Sequence, residues 1–304
     1  MRLDDYDNDI NVEDQRGGAG GGLGGGGGLL LGLLPIIGSR FGCGGIVVAL
    51  LLLAVFGGLG NLGGLVGGGD SFAPSTPVSR TNGGGGETLA QKCDTQAARA
   101  ACNAFSSAQD TWEAIFAKSG ERFVAPKLVF FGEQGGRSGC GAAMSAMGPF
   151  YCPTDQGIYL DTDFFNELTN RFKAPGDFAQ YYVIAHEFGH HIQNLTGTSE
   201  RVQQAQRQAS EREGNALSVR LELQADCYAG VWAARDTNLM EAGDLEEGMR
   251  AAEAIGDDTL QKAAGRRPVP ESFTHGSGAQ RMLWLRKGLS TGDPAQCDTF
   301  SGAI

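Results

Sequence analysis

His186-Glu187-Phe188-Gly189-His190, set within the run from Tyr181 to Thr196, decides how this chain is read. Histidines four residues apart sit about one 3.6-residue helical turn apart, so both imidazoles point the same way and can grip one metal ion. Glu187 stands beside them, where a carboxylate can take a proton from a metal-bound water. The flanking pattern is helical: Phe178, Tyr181, Tyr182, Ala185, Phe188, Ile192 and Leu195 mark one apolar stripe. Asp177, after Pro175-Gly176, is a fitting N-cap and Gly197 a fitting stop. Gly189 costs a helix roughly 1 kcal/mol against alanine, which is understandable if substrate or a neighbouring backbone must come close. Of the four histidines in the chain, three (His186, His190, His191) fall in this stretch, which favours a metal site over a helix that merely happens to carry them.

Catalytic zinc usually has three protein ligands and a water. A third histidine on the same helix would follow the pattern HExxHxxGxxH, but Gln193 and Thr196 occupy the glycine and histidine positions. The remaining candidates are Glu200, Glu211, Glu213, Glu222 and His275. Glu222 has the best context, because Leu217, Leu221, Ala225, Tyr228 and Trp232 recur at helical spacing around it. Asp226 lies four residues on, along the same face, and is placed to accept the spare ring N–H of a zinc-bound histidine. His191 points about 100° away from His190 on the helix and is expected to support the fold rather than bind metal. His275, in the loop Phe273-Thr274-His275-Gly276-Ser277, is the one histidine left to help stabilise an oxyanion. Arg220 and Arg281 are read as structural ion-pair partners.

Taken together, these residues resemble the bacterial neutral zinc metallopeptidase family, membrane-anchored proteins of the wider HExxH-plus-Glu, gluzincin-like group. The likeness is carried by His186 to His191, by Leu221-Glu222-Leu223-Gln224-Ala225-Asp226-Cys227, by Gly148-Pro149-Phe150-Tyr151-Cys152-Pro153, and by Thr274-His275-Gly276-Ser277 with Gln280-Arg281. It implies one Zn2+ per chain held by His186, His190 and Glu222, with Glu187 as general base. It also implies a zincin-like α+β domain with a small antiparallel sheet and an HExxH helix, acting on a peptide or protein substrate.

Residues 41–69 carry no charge, and residues 41–62 reach the roughly 20 residues that a membrane-crossing helix needs. Arg2, Arg16 and Arg40 precede this stretch and the next basic residue is Arg80, so the Lys/Arg bias predicts a single span with the N-terminus in the cytoplasm and the catalytic domain outside. Six of the seven cysteines follow the span, an even number suited to an oxidising space. Cys140 and Cys152 flank a short apolar segment with Gly148-Pro149 and are the expected disulfide pair. The absence of any CxxC pair argues against a zinc ribbon.

The expected organisation is a disordered acidic, then glycine-rich tail (1–40), the span (41–62), a Gly/Ser/Thr/Pro tether (63–88) and one catalytic domain (89–304). Within the domain, strands are expected at 127–131, 142–146, 149–151 and 158–160. Helices are expected at 88–118, 162–172 and 244–264, around the metal motif and Glu222, and at 277–288. Residues 142–147 are the candidate edge strand for pairing with substrate. With 24 basic against 35 acidic residues, nucleic acid is not an expected partner. Two functions fit: a membrane-tethered zinc peptidase, and a non-catalytic zinc-binding surface protein that binds a partner through the same domain.

Overall fold

In the computed structural model, which describes residues 1–17, 87–236 and 239–304, the apolar run Leu128-Val129-Phe130-Phe131 forms a central strand of a four-stranded sheet. The sheet runs in the order β1 (Val12–Asp14), β2 (Lys127–Phe131), β6 (Gly157–Asp161) and β5 (Phe150–Cys152). The strands β1, β2 and β6 are parallel, and only β5 is antiparallel to its neighbour. Covered on both faces, β6 is buried along its whole length, as expected of an inner parallel strand. A separate hairpin joins β3 (Gly136–Ser138) to β4 (Gly141–Ala143). The expected small antiparallel sheet is thus corrected to a mixed one, because β2 and β6 pair in parallel and a strand from the far N-terminus adds a second parallel pairing beside β2. The expected edge strand at 142–147 is corrected too: its start belongs to the hairpin, and the edges of the main sheet are β1 and β5.

The described residues form nine helices: α1 (Leu89–Lys92), α2 (Gln96–Ser119), α3 (Phe164–Asn170), α4 (Asp177–Leu195), α5 (Thr198–Gln206), α6 (Glu211–Arg235), α7 (Asp244–Ala254), α8 (Asp257–Ala263) and α9 (Gly278–Thr291). The helix expected at 88–118 breaks before Thr95, whose side chain accepts from the Ala98 amide and starts α2 afresh. The one expected at 244–264 breaks at Gly256. Gly176, rather than Asp177, is the N-cap of α4. The core lies between α2, α4, α6 and the sheet, where Phe105 meets Phe188, Trp112 meets Tyr228 and Phe178 stacks on Trp232. Three disulfides, Cys93–Cys102, Cys140–Cys152 and Cys227–Cys297, tie these parts together.

Residues 1–17, expected to lie in a disordered tail, are instead part of this domain. Ile10 and Val12 are buried in the core and the Asp7 amide donates to Ser106 of α2. Apolar residues spaced along an acidic run pay for their ordering by filling the outer face of β2. The expected span at 41–62 and most of the tether lie outside the described residues. Among the described residues, no helix is long and apolar enough to cross a membrane.

Docking of an acidic segment has an electrostatic cost. Asp110 of α2 is pushed up to about 6, first by burial and then by the Asp7 carboxylate it faces. A carboxyl whose folded pKa exceeds its ordinary 3.8 destabilises the fold as pH rises from about 4 to about 6, and fully above that. Asp110→Asn is therefore expected to raise Tm at pH 7 and leave it unchanged at pH 4, as read by thermal unfolding.

Candidate active site

Helix α4 carries His186, Glu187 and His190, and α6 carries Glu222 and Asp226. The two helices meet closely because Gly189 has no side chain: a Cβ there would lie 2.9 Å from the Ala225 carbonyl oxygen and 3.0 Å from Ala225 Cα. The neighbouring backbone that the glycine admits is thus α6. At this separation His186 Nε2 lies 3.1 Å from Glu222 Oε2, and His190 Nε2 lies 3.5 Å from Glu222 Oε1. One ligand atom from each of the three residues lies within 4.8 Å of the others. Two imidazole nitrogens and a carboxylate oxygen are a donor set suited to zinc.

The outer nitrogen of each histidine is held. His186 Nδ1 lies 2.8 Å from Asp226 Oδ1, and the fully buried Asp226 accepts from three further donors. Tyr182 donates its hydroxyl at 2.6 Å, and Arg281 of α9 donates Nε at 2.9 Å to Oδ2 and an Nη at 2.9 Å to Oδ1. His190 Nδ1 lies 2.9 Å from Gln193 Oε1. The orientation of that amide is set, because Gln193 Nε2 donates to the Leu221 carbonyl at 2.6 Å and to Gln224 Oε1 at 3.2 Å. Each Nδ1 has an acceptor within hydrogen-bond distance, which favours the proton there, and both Nε2 atoms face Glu222.

The charges are mutually dependent. Burial works against charge on every member, yet Asp226 and Glu222 push His186 up to about 9. Burial would raise Glu222, but His190, His275 and His186 outweigh it and hold its carboxyl well below the ordinary range. Glu187 is buried beside His190 and, among the described residues, has no hydrogen-bond partner. An unengaged carboxylate next to three converging donors is free to handle a proton.

His275 lies on the same side, near enough that Glu222 raises its pKa against the opposing effect of burial. Its loop is gripped by Asp257 of α8, whose Oδ2 accepts from the amides of Thr274, His275 and Gly276 at 2.7, 2.7 and 3.0 Å. The other oxygen of Asp257 lies 3.4 Å from His275 Nδ1. His191 is buried away from the three donors. Its Nε2 donates to the Val124 carbonyl at 2.7 Å, and its Nδ1 accepts from Tyr151 Oη at 3.0 Å. Burial lowers this imidazole to about 4, so it is neutral and ties β5 to α4.

Tyr182, Gln193, Gln224, Asp257 and Arg281 were not singled out for this site from the sequence. The signal for Gln193 was available: it sits one turn after His190, on the same helix face. Asp257 comes from a distant segment that no local pattern marks, and Arg281, although part of the family likeness, carries no local sign of its tie to Asp226.

A model of the family described as "Putative neutral zinc metallopeptidase" matches residues 1–300. The uncharacterized protein YpfJ of Escherichia coli (strain K12) is 42% identical over 297 residues, which cover 97% of this chain and 96% of that protein. The uncharacterized protein Rv2575 of Mycobacterium tuberculosis (strain ATCC 25618 / H37Rv) is 45% identical over 194 residues, 60% of this chain and 64% of that one. No solved structure matches the chain.

If contact through Gly189 sets the reach of Glu222, a single methyl there must separate the helices. Gly189→Ala is expected to cost about 1–3 kcal/mol of stability through overpacking, despite its better helix propensity, and to weaken zinc binding. Urea unfolding and zinc titration measure the two effects; a variant more stable than the parent with unchanged affinity contradicts the close-contact role.

Proposed function

The chain belongs to the neutral zinc metallopeptidase family, and on that premise we propose that it is a zinc-dependent peptidase with Glu187 as its general base. The observation that carries this reading is the buried Glu187, which has no hydrogen-bond partner among the described residues, beside the convergent His186, His190 and Glu222. A structural zinc needs no base and usually takes a fourth protein ligand.

In this reading His186, His190 and Glu222 hold the metal through Nε2, Nε2 and a carboxylate oxygen. Zinc bound there supplies a water with pKa lowered towards ~7 and polarises the scissile carbonyl. Asp226 and Gln193 keep the histidines in the tautomer that leaves Nε2 free to coordinate. Glu187 takes the proton from the attacking water and delivers it to the leaving nitrogen. His275, backed by Asp257, donates to the developing oxyanion from the side opposite its Nδ1. An extended peptide pairs with the edge strand β5 through main-chain hydrogen bonds, and the link from Tyr151 through His191 and Asn194 keeps that strand in register with α4. Three disulfides support a domain that works in an oxidising compartment.

Purified protein is expected to hold one zinc per chain and to cut peptides from an unbiased library. Glu187→Gln is expected to keep the zinc and lower kcat/KM by about 10²–10⁴-fold, the usual contribution of a positioned base. Glu222→Ala is expected to lose zinc at chelator concentrations that the parent withstands. Stoichiometric zinc with no cleavage by either the parent or Glu187→Gln would turn the reading to a non-catalytic, partner-binding domain.

A further inference from the structure

We infer that residues 1–17 occupy the same side of the membrane as residues 87–304. The inference is independent of the enzymatic reading and rests on how the N-terminal segment is built into the domain. Val12, Glu13 and Asp14 pair in parallel with Leu128, Val129 and Phe130. The Leu128 amide donates to the Asn11 carbonyl at 2.9 Å and the Gln15 amide to the Phe130 carbonyl at 2.7 Å. Lys92 Nζ donates to the Val12 carbonyl at 2.5 Å, and Asn103 Nδ2 to the Leu3 carbonyl at 2.5 Å. The Arg2 amide reaches the Leu239 carbonyl at 2.8 Å. Thus α1, α2, β2 and the approach to α7 all hold the segment.

Undocking it would leave the outer edge of β2 with unpaired amides and carbonyls next to uncovered apolar side chains, which is costly for a buried strand. Hydrogen bonds below 3 Å cannot span the roughly 30 Å of a hydrocarbon core.

The charge pattern does not oppose this. The first 16 residues contain only two basic residues, Arg2 and Arg16, a small count for holding a segment in the cytoplasm. Arg16 is ion-paired with Asp14 and Asp94, so one of the three arginines behind the expected orientation is held within the fold. Whichever compartment oxidises the three cysteine pairs also receives residues 1–17.

The test uses the full chain with Cys43→Ser, so that native thiols are tied in disulfides, and one exposed reporter at a time, Asp4→Cys or Arg286→Cys. Oriented membrane vesicles are treated with a membrane-impermeant maleimide before and after detergent. Both reporters are expected to react in the same vesicle orientation; reaction from opposite faces overturns the inference. A second readout needs no substitution. Lys127 Nζ lies 3.1 Å from Glu13 Oε2, so a zero-length carbodiimide cross-link between residues 13 and 127 is expected in intact membranes. Its absence from disulfide-intact protein also counts against the docked segment.

Discussion

The site depends on one buried carboxylate. Asp226 has no exposed surface, and an isolated charge in such a place would be lost to protonation or would unfold its surroundings. It is kept ionised by a bidentate Arg281, by the Tyr182 hydroxyl and by His186 Nδ1, so α4, α6 and α9 each supply part of the same network. A buried ion pair seldom adds much net stability over apolar packing, but removing one partner costs several kcal/mol. The value of this one lies in alignment. None of the three helices can rotate without stranding a charge, and His186 is therefore aimed at Glu222, one turn before Asp226.

Close helix packing makes that network possible. Gly189 lets α4 lie on α6, and Gly288 does the same for α9, since a Cβ there would overlap the Cys227 carbonyl oxygen. Both contacts flank Asp226 in space, and the disulfide from Cys227 to Cys297 fastens the C-terminal segment beside it. The donors thus sit on rigid helices, the arrangement that holds a reacting group best. The one loop residue of the set, His275, is stiffened differently, by an aspartate that accepts three successive backbone amides.

Much of this was legible from the chain. The helical stripe around His186, the exclusion of a third histidine on α4, and the pairing of Glu222 with Asp226 all follow from periods of three and four. Strand β2 and the inward-facing β6 announce themselves as β-branched and aromatic runs. The N-terminal strand did not: three residues in an acidic stretch next to a glycine run carry no strand signal, and β1 exists because β2 has an edge to cover. Position 193 shows in the sequence only as a missing glycine, although a glutamine there fixes His190. Arg281 was read as a structural ion-pair partner, and so it is, but its partner is the carboxylate that orients a candidate ligand. Sequence spacing reports what shares a helix face; it is silent on which distant helix that face will meet.

The central claim is a three-donor centre of two imidazoles and one carboxylate, open at a fourth position. X-ray absorption at the zinc edge of the zinc-loaded full chain tests it most directly. Two imidazole nitrogens at about 2.0–2.1 Å, with two oxygens at about 2.0–2.2 Å from Glu222 and a water, are expected, and Glu222→Ala should remove one of those oxygens. Sulfur scattering near 2.3 Å, a third imidazole, or a spectrum unchanged in Glu222→Ala would contradict it.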